Sequence, residues 1–372
     1  MVGLQHLLEE MVQKGASDLH ICAGAPPVLR LDGDLIPTNY EVLTPPMTQQ
    51  LIYSILNDQQ KKRLEMEYEL DLSFGISGLS RFRANAYLDR GSVTMAIRTI
   101  PWDIRSFEEL GLPLIAKELC NRPRGLVLVT GPTGCGKSTS LATMIDKINI
   151  ERRCHIITIE DPIEYMHRHK KSIINQRELG TDTKTFSNAL KYALREDPDV
   201  VMVGEMRDLE TIQSALIISE TGHLTFATLH TNSAAEAINR IIDVFPPHQQ
   251  PQVRAQLAFV LEGVMVQQLV PKLRGGRVLA AEVMICTPAI RALIRDDKAH
   301  QIYSLIQAGQ KYGMQTMNQS LYLHYSNKNI SLEECLGRAP NLDEIEKMIE
   351  QKSLFVNLPQ GAGAAGSAKP AK

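Results

Sequence analysis

A doubly wound α/β core behind a small α+β domain is the fold this sequence predicts, and three observations predict it. Four short apolar runs, LVLVT (126–130), HIITIE (155–160), DVVMVGE (199–205) and LTFATLH (224–230), are separated by stretches long enough for helices. Near-continuous β-branched runs of this kind belong to parallel strands buried on both faces. The first run leads into GPTGCGKS (131–138), a glycine-rich loop set between a strand and a helix. Ahead of all four, residues 1–99 hold short β-like runs broken by Gly, Pro and Asp, the pattern of a separate small domain.

Taken in order, Leu4, Leu7, Leu8, Met11 and Val12 are spaced as the buried stripe of one helix, which Gly15 ends. LHICAGAPPVLRLDGDLIP and LSRFRANAYLDRGSVTMAIRTIP read as strands, with a polar helical stretch, MTQQLIYSILNDQQKKRLEME, between them. TIPWDIRSFEELGLP carries two prolines and no long periodic run, so residues 100–112 read as a linker. Residues 113–357 then form the α/β domain, whose chain after residue 250 reads as mainly helical through VRAQLAFVLEGVMVQQLV, AIRALIRDDKAHQIYSLIQAG and LDEIEKMIEQKSL. Residues 358–372, poor in large apolar groups, read as a disordered tail.

Bulk composition narrows the function. A 44% hydrophobic content is ample for substantial cores, and 40 basic against 42 acidic residues leave no global field for nucleic acid or anionic membrane. The N-terminus lacks the parts of a secretory signal, and no apolar run approaches the roughly 18 residues that span a bilayer, which predicts a cytoplasmic chain. The six cysteines (22, 120, 135, 154, 286 and 335) contain no CxxC pair, so neither a disulfide framework nor a structural zinc site is expected.

The chemistry sits at the strand ends. GPTGCGKS completes GxxxxGK[ST], so Gly131, Pro132, Thr133, Gly134, Cys135, Gly136, Lys137, Ser138 and Thr139 are expected to hold ATP. Glycines let backbone N–H groups curl around the β-phosphate, Lys137 neutralises β- and γ-phosphate charge, the Ser138 hydroxyl ligates Mg²⁺ and Thr139 adds a phosphate contact. TIEDPIEY places Glu160, Asp161 and Glu164 at the carboxyl end of a second strand, where open α/β sheets bind ligands. Glu164, on the loop beyond the strand, is expected to be the general base, against the alternative that these acids cap or solvate a turn. DVVMVGEMRD ends a buried run in Glu205, placed to hold Mg²⁺ through its water shell. Arg195 reads equally as a cation for a neighbouring subunit's nucleotide or as a surface arginine. His223 and His230 flank LTFATL seven apart, an odd spacing that puts them on opposite faces and argues against a shared metal. Either they are structural or they sense the γ-phosphate.

The ordered set GPTGCGKS, TIEDPIEY, VVMVGEMRD and TGHLTFATLHT, covering about residues 125–232, resembles the type II/IV secretion and type IV pilus ATPases. Within that family the retraction branch fits best. GASDLHI stands in a single small N-terminal domain, only Cys286 falls where the assembly branch holds a tetracysteine insert, and AIRALIRDDK (289–298) resembles the AIRNLIRE signature, departing at Ala292 and Asp296. The resemblance implies a PAS-like N-terminal domain, a RecA-like core with nucleotide between domains, and a homohexamer. It further implies that Arg81, Arg83 and Arg98 supply cations to the γ-phosphate, although an ion-pair cluster is the alternative for the Arg81–Arg83 pair. Arg291 and Arg295 share one face of the signature helix, which either docks an acidic surface, such as that of an inner-membrane platform protein, or is a solvated basic face. The expected function is a hexameric ATPase powering pilus retraction, cytoplasmic and only peripheral to the membrane, with no nucleic-acid partner. Its rivals are an assembly or secretion ATPase, a RecA-like DNA motor and a nucleotide-dependent scaffold.

Overall fold

The computed structural model describes residues 2–31, 33–76, 78–100 and 103–356, with side chains through residue 350. The tail expected at 358–372 lies outside them. The strands are β1 (Asp18–Ile21), β2 (Val28–Leu31), β3 (Asp34–Pro37), β4 (Glu69–Ile76), β5 (Ser80–Asp89), β6 (Ser92–Ile100), β7 (Gly125–Thr130), β8 (His155–Glu160), β9 (Ile173–Glu178), β10 (Val200–Val203), β11 (Leu224–Leu229), β12 (Leu261–Pro271) and β13 (Arg277–Ile285). The chain divides into two compact units, Met1–Ser106 with Ser138–Met206, and Phe107–Lys137 with Arg207–Lys372.

In the first unit, β1–β6 form an antiparallel sheet in the order β3-β2-β1-β6-β5-β4. The helix Leu4–Gln13 buries Leu4, Leu7, Leu8 and Met11 into a core shared with Leu19, Phe82, Met95 and Ile97. The polar stretch expected as one helix is two, Pro45–Tyr53 and Asp58–Glu67. Asn57 starts the second with a reciprocal capping box to Gln60, a short-range signal that outweighs the apolar spacing across the break. The same unit holds β8, paired in parallel with β10 on one side and β9 on the other.

In the second unit the order is β13-β12-β7-β11, with β11 and β12 parallel to β7 and β13 antiparallel to β12. All six residues of β7 and of β11 are buried, as the apolar runs predict. LEGVMVQQLV, expected to be helical, is β12. The helix Gln250–Val260 ends because Leu261 turns to φ −69°, ψ 124°, and the strand then runs beside β7. Gly263 lets the strand pack closely on β13 and on the helix Ile115–Cys120, since a Cβ there would lie 3.1 Å from the Met284 carbonyl and from Leu119. A run buried on both faces carries no periodicity that separates strand from helix. Later segments are helical as expected, among them Pro288–Arg295, Ile302–Gln307 and Leu342–Val356.

Candidate functional site

β7 delivers the glycine-rich loop. Gly131, Gly134 and Gly136 take φ values of 139°, 79° and 90°, conformations open to glycine and costly for other residues. At Gly131 space forbids a side chain as well, because a Cβ would sit 2.4 Å from the Gln267 carbonyl oxygen and 2.7 Å from Cys135 Sγ. The loop is thus pressed against β12 at Gly131, while residues 132–134 are exposed. Burial pushes the Cys135 thiol above its ordinary pKa, so this cysteine packs rather than reacts. The Lys137 ammonium crosses the loop, donating to the carbonyls of Gly131 (2.8 Å) and Pro132 (3.1 Å). It opens the helix Lys137–Glu151, whose N-terminal dipole adds to the field offered to an anion.

The histidines separate. Leu229 pairs with Thr130, and the Thr130 hydroxyl donates to the Thr231 carbonyl at 3.1 Å, so exposed His230 stands at the loop end of β11. His223 does not. Its carbonyl accepts from Gly125 N at the start of β7, and its Nδ1 lies 3.0 Å from the Ile218 carbonyl and 3.1 Å from the Thr221 hydroxyl. A six-residue strand, about 20 Å at 3.3 Å per residue, separates His223 from the phosphate loop of its own chain, an arrangement that fits the structural alternative.

In the first unit a hydrogen-bonded series joins the start of the phosphate helix to the acidic box. Thr139 Oγ1 lies 2.9 Å from the Tyr165 hydroxyl, and Gln176 Nε2 donates both to the Tyr165 carbonyl (2.8 Å) and to Glu160 Oε1 (3.1 Å). Thr158 donates to the same Glu160 oxygen at 2.6 Å. Burial pushes the Glu160 carboxyl up to about 7, against the pull of these bonds. Glu164, four residues on, is exposed on the loop. Glu205 follows β10 and is half-buried. It reaches the acidic box because Gly204 N bonds to the Ile159 carbonyl at 2.7 Å, in a contact where a Cβ would meet Glu160 Cα at 3.2 Å.

Of the arginines, Arg81 lies 3.5 Å from Glu178 and donates to Ser73 at 2.8 Å, while Arg83, on the same face of β5, is exposed with no partner holding it among the described residues. Arg98 pairs with Asp18 at 2.8 Å. Arg195 is exposed before β10, where Asp199 N bonds to the His155 carbonyl, at the end of β8 opposite the acidic box. Arg291 is not the free docking cation expected from helix spacing. Its guanidinium caps the helix Gln250–Val260 through the carbonyls of Ala258 (2.6 Å) and Phe259 (2.7 Å) and pairs with Glu262 at 2.6 Å, because the crossing of two helices offers it bare carbonyls and a carboxylate together. Only Arg295, 62% exposed beside Asp296, faces out. Sequence reasoning gives no role to Tyr165, Gln176 or Glu178. Tyr165 closes the TIEDPIEY motif without an assigned role, and the only signal for Gln176 and Glu178 is a polar run, NQRE, inside a strand.

Residues 2–276 match the family model of type II/IV secretion system proteins. The type IV pilus retraction ATPase PilT of Pseudomonas aeruginosa is 52% identical over 318 residues, 86% of this chain and 92% of that one. A twitching motility protein of Neisseria gonorrhoeae is 47% identical over 320 residues, 86% of each chain. The crystal structure of the pilus retraction motor PilT with bound ADP superposes with a TM-score of 0.87 at 52% identity, covering 94% of this chain and all of that one. With the phosphate loop and acidic box built as described, and with this identity across most of its length, the chain belongs to the type II/IV secretion system protein family.

Proposed function

We propose that this chain is the ATP-hydrolysing subunit of a homohexameric motor that retracts type IV pili. The observation that carries the reading is the phosphate loop, shaped so that only glycine fits at 131, on a chain 52% identical to a pilus retraction ATPase. The loop's backbone N–H groups and Lys137 take the β- and γ-phosphates. Among the described residues no three His, Cys, Asp or Glu side chains form a metal cage. Mg²⁺ would be shared by the Ser138 hydroxyl, Glu205 through water, and phosphate oxygens, where it neutralises charge.

Glu164 receives the proton of the attacking water, being exposed on its loop, whereas Glu160 is enclosed and bonded by Thr158 and Gln176. Arg81 and Arg83 supply positive charge from β5, Arg195 supplies it from a neighbouring subunit, and His230 responds to loss of the γ-phosphate. Closure between residues 1–99 and the ATPase domain 113–357 carries the energy to an inner-membrane platform protein. The motor works from the cytoplasm, peripheral to the membrane and without nucleic acid. No helix among the described residues is long and apolar enough to cross a membrane.

The test is steady-state ATP hydrolysis by the full chain beside Glu164→Gln, with oligomer mass measured in the same buffer. A hexamer that turns over, and a variant that binds ATP but hydrolyses it about 10²-fold more slowly, are expected. Absence of hydrolysis in every oligomeric form would remove the motor reading. Expression in cells lacking a retraction motor should restore twitching, and only with Glu164 intact.

A further inference from the structure

Glu178 ends β9 at 4% exposure, and donors from four places converge on its carboxylate. Ser73 of β4 donates to Oε1, as does Thr181 at 3.4 Å. Ile163 N, inside the acidic box, donates to Oε2 at 3.2 Å, and Arg81 of β5 lies 3.5 Å from the same oxygen. The turn behind is closed by two bonds, from Glu178 N to Asp182 Oδ2 at 2.8 Å and from Asp182 N to the Glu178 carbonyl at 2.8 Å. One buried carboxylate therefore ties two strands of the N-terminal sheet to the loop that carries Glu164.

Arg81 is held below its capacity. Its Nη2 donates to Ser73 at 2.8 Å and stands 3.5 Å from Glu178, while its Nε is buried with no acceptor. A guanidinium favours two parallel bonds to one anion, and a buried donor without an acceptor is unfavourable. A terminal phosphate can offer the paired oxygens that Glu178 does not, so the two anions compete for one cation.

We propose that Glu178 is a positioning residue that holds Arg81 until a γ-phosphate takes it, so that exchange of Arg81 between the two anions links the N-terminal sheet to the Glu164 loop. This rests on the nucleotide reading above. Its signature is selectivity, because only ATP carries the phosphate that Arg81 would leave Glu178 to meet.

The experiment measures affinity for ADP and for a non-hydrolysable ATP analogue by displacement of a fluorescent nucleotide, on the full chain with Mg²⁺. Glu178→Gln keeps the side-chain size and one acceptor oxygen, exchanges the other for an amide donor, and removes the charge. It should raise the preference for the analogue over ADP by about three- to tenfold, as release of a competing ion pair implies. Arg81→Gln should lower that preference, and the double variant should match Arg81→Gln alone. Ser73→Ala loosens Arg81 from the other side, and should move the preference in the direction of Glu178→Gln by a smaller factor even if Glu178→Gln fails to fold. If wild type binds both nucleotides and the removal of Glu178 charge or of the Ser73 hydroxyl shifts both affinities equally or not at all, the exchange is wrong while the nucleotide reading stands. If wild type binds neither nucleotide, both fall.

Discussion

Glu160 ends β8 and Glu164 lies four residues on in the loop beyond it, yet their surroundings set them to different tasks. Glu160 is buried, with Thr158 and Gln176 donating to one oxygen, and its carboxyl is pushed up to about 7 by burial. In the unfolded chain it titrates near the ordinary 4.5. The folded state therefore binds the extra proton between those values, and the sign follows: stability is undiminished below about 4.5 and falls as pH rises toward 7. A tenfold change in proton affinity is worth about 1.4 kcal/mol, so ionising Glu160 costs the fold roughly 3 kcal/mol. Glu160→Gln keeps the two hydrogen bonds and abolishes the titration. Chemical denaturation should show variant and wild type nearly equal at acidic pH and the variant more stable at alkaline pH, by up to that amount. A difference that does not change with pH would mean that Glu160 is solvated in solution.

At the scale of elements, helix ends explain more than helix faces. The signature helix Pro288–Arg295 begins at Thr287, whose hydroxyl accepts from Ile290 N, and buries Ile290 and Ile294. Its Arg291 then meets the last carbonyls of the helix Gln250–Val260, where a cation offsets the negative end of the helix dipole. Glu262 is left with Arg122 at 3.4 Å if Arg291 is removed. Arg291→Ala should thus lower thermal stability by about 1–3 kcal/mol, the cost of unpairing a charged hydrogen-bonded group. Arg295→Ala, at an exposed position, should stay within about 0.5 kcal/mol and leave any defect to function. Equal losses in both variants would contradict the capping role.

For the whole molecule, the location of Arg195 makes a statement about assembly. It is exposed in the loop before β10, at the end of β8 opposite the acidic box and with the length of β8 between them, so it cannot serve its own Glu164. If it completes a neighbour's site, rings mixed from Arg195→Ala and Lys137→Ala chains should regain activity. A subunit with an intact phosphate loop would then sit beside one with an intact Arg195. Each variant alone should be weak, and mixing after ring exchange should restore a measurable fraction of wild-type hydrolysis. Mixed rings no more active than the average of the separate variants would place Arg195 on an ordinary surface.

Local pattern sufficed for the strand-loop-helix of residues 125–151 and the acids that follow β8 and β10, because their chemistry depends on neighbours in the chain. A glycine-rich turn after a buried strand carries its own geometry. Tertiary structure decided what depends on distant partners: the placement of LEGVMVQQLV beside β7 as a strand, the turning inward of Arg291, and the His223 position at the far end of β11. It alone joined Ser73 to Glu178, 105 residues apart, and set Glu160 apart from Glu164. Burial and long-range hydrogen bonds are properties of the packed chain. Periodicity cannot encode them where a segment is apolar on every face or polar inside a strand.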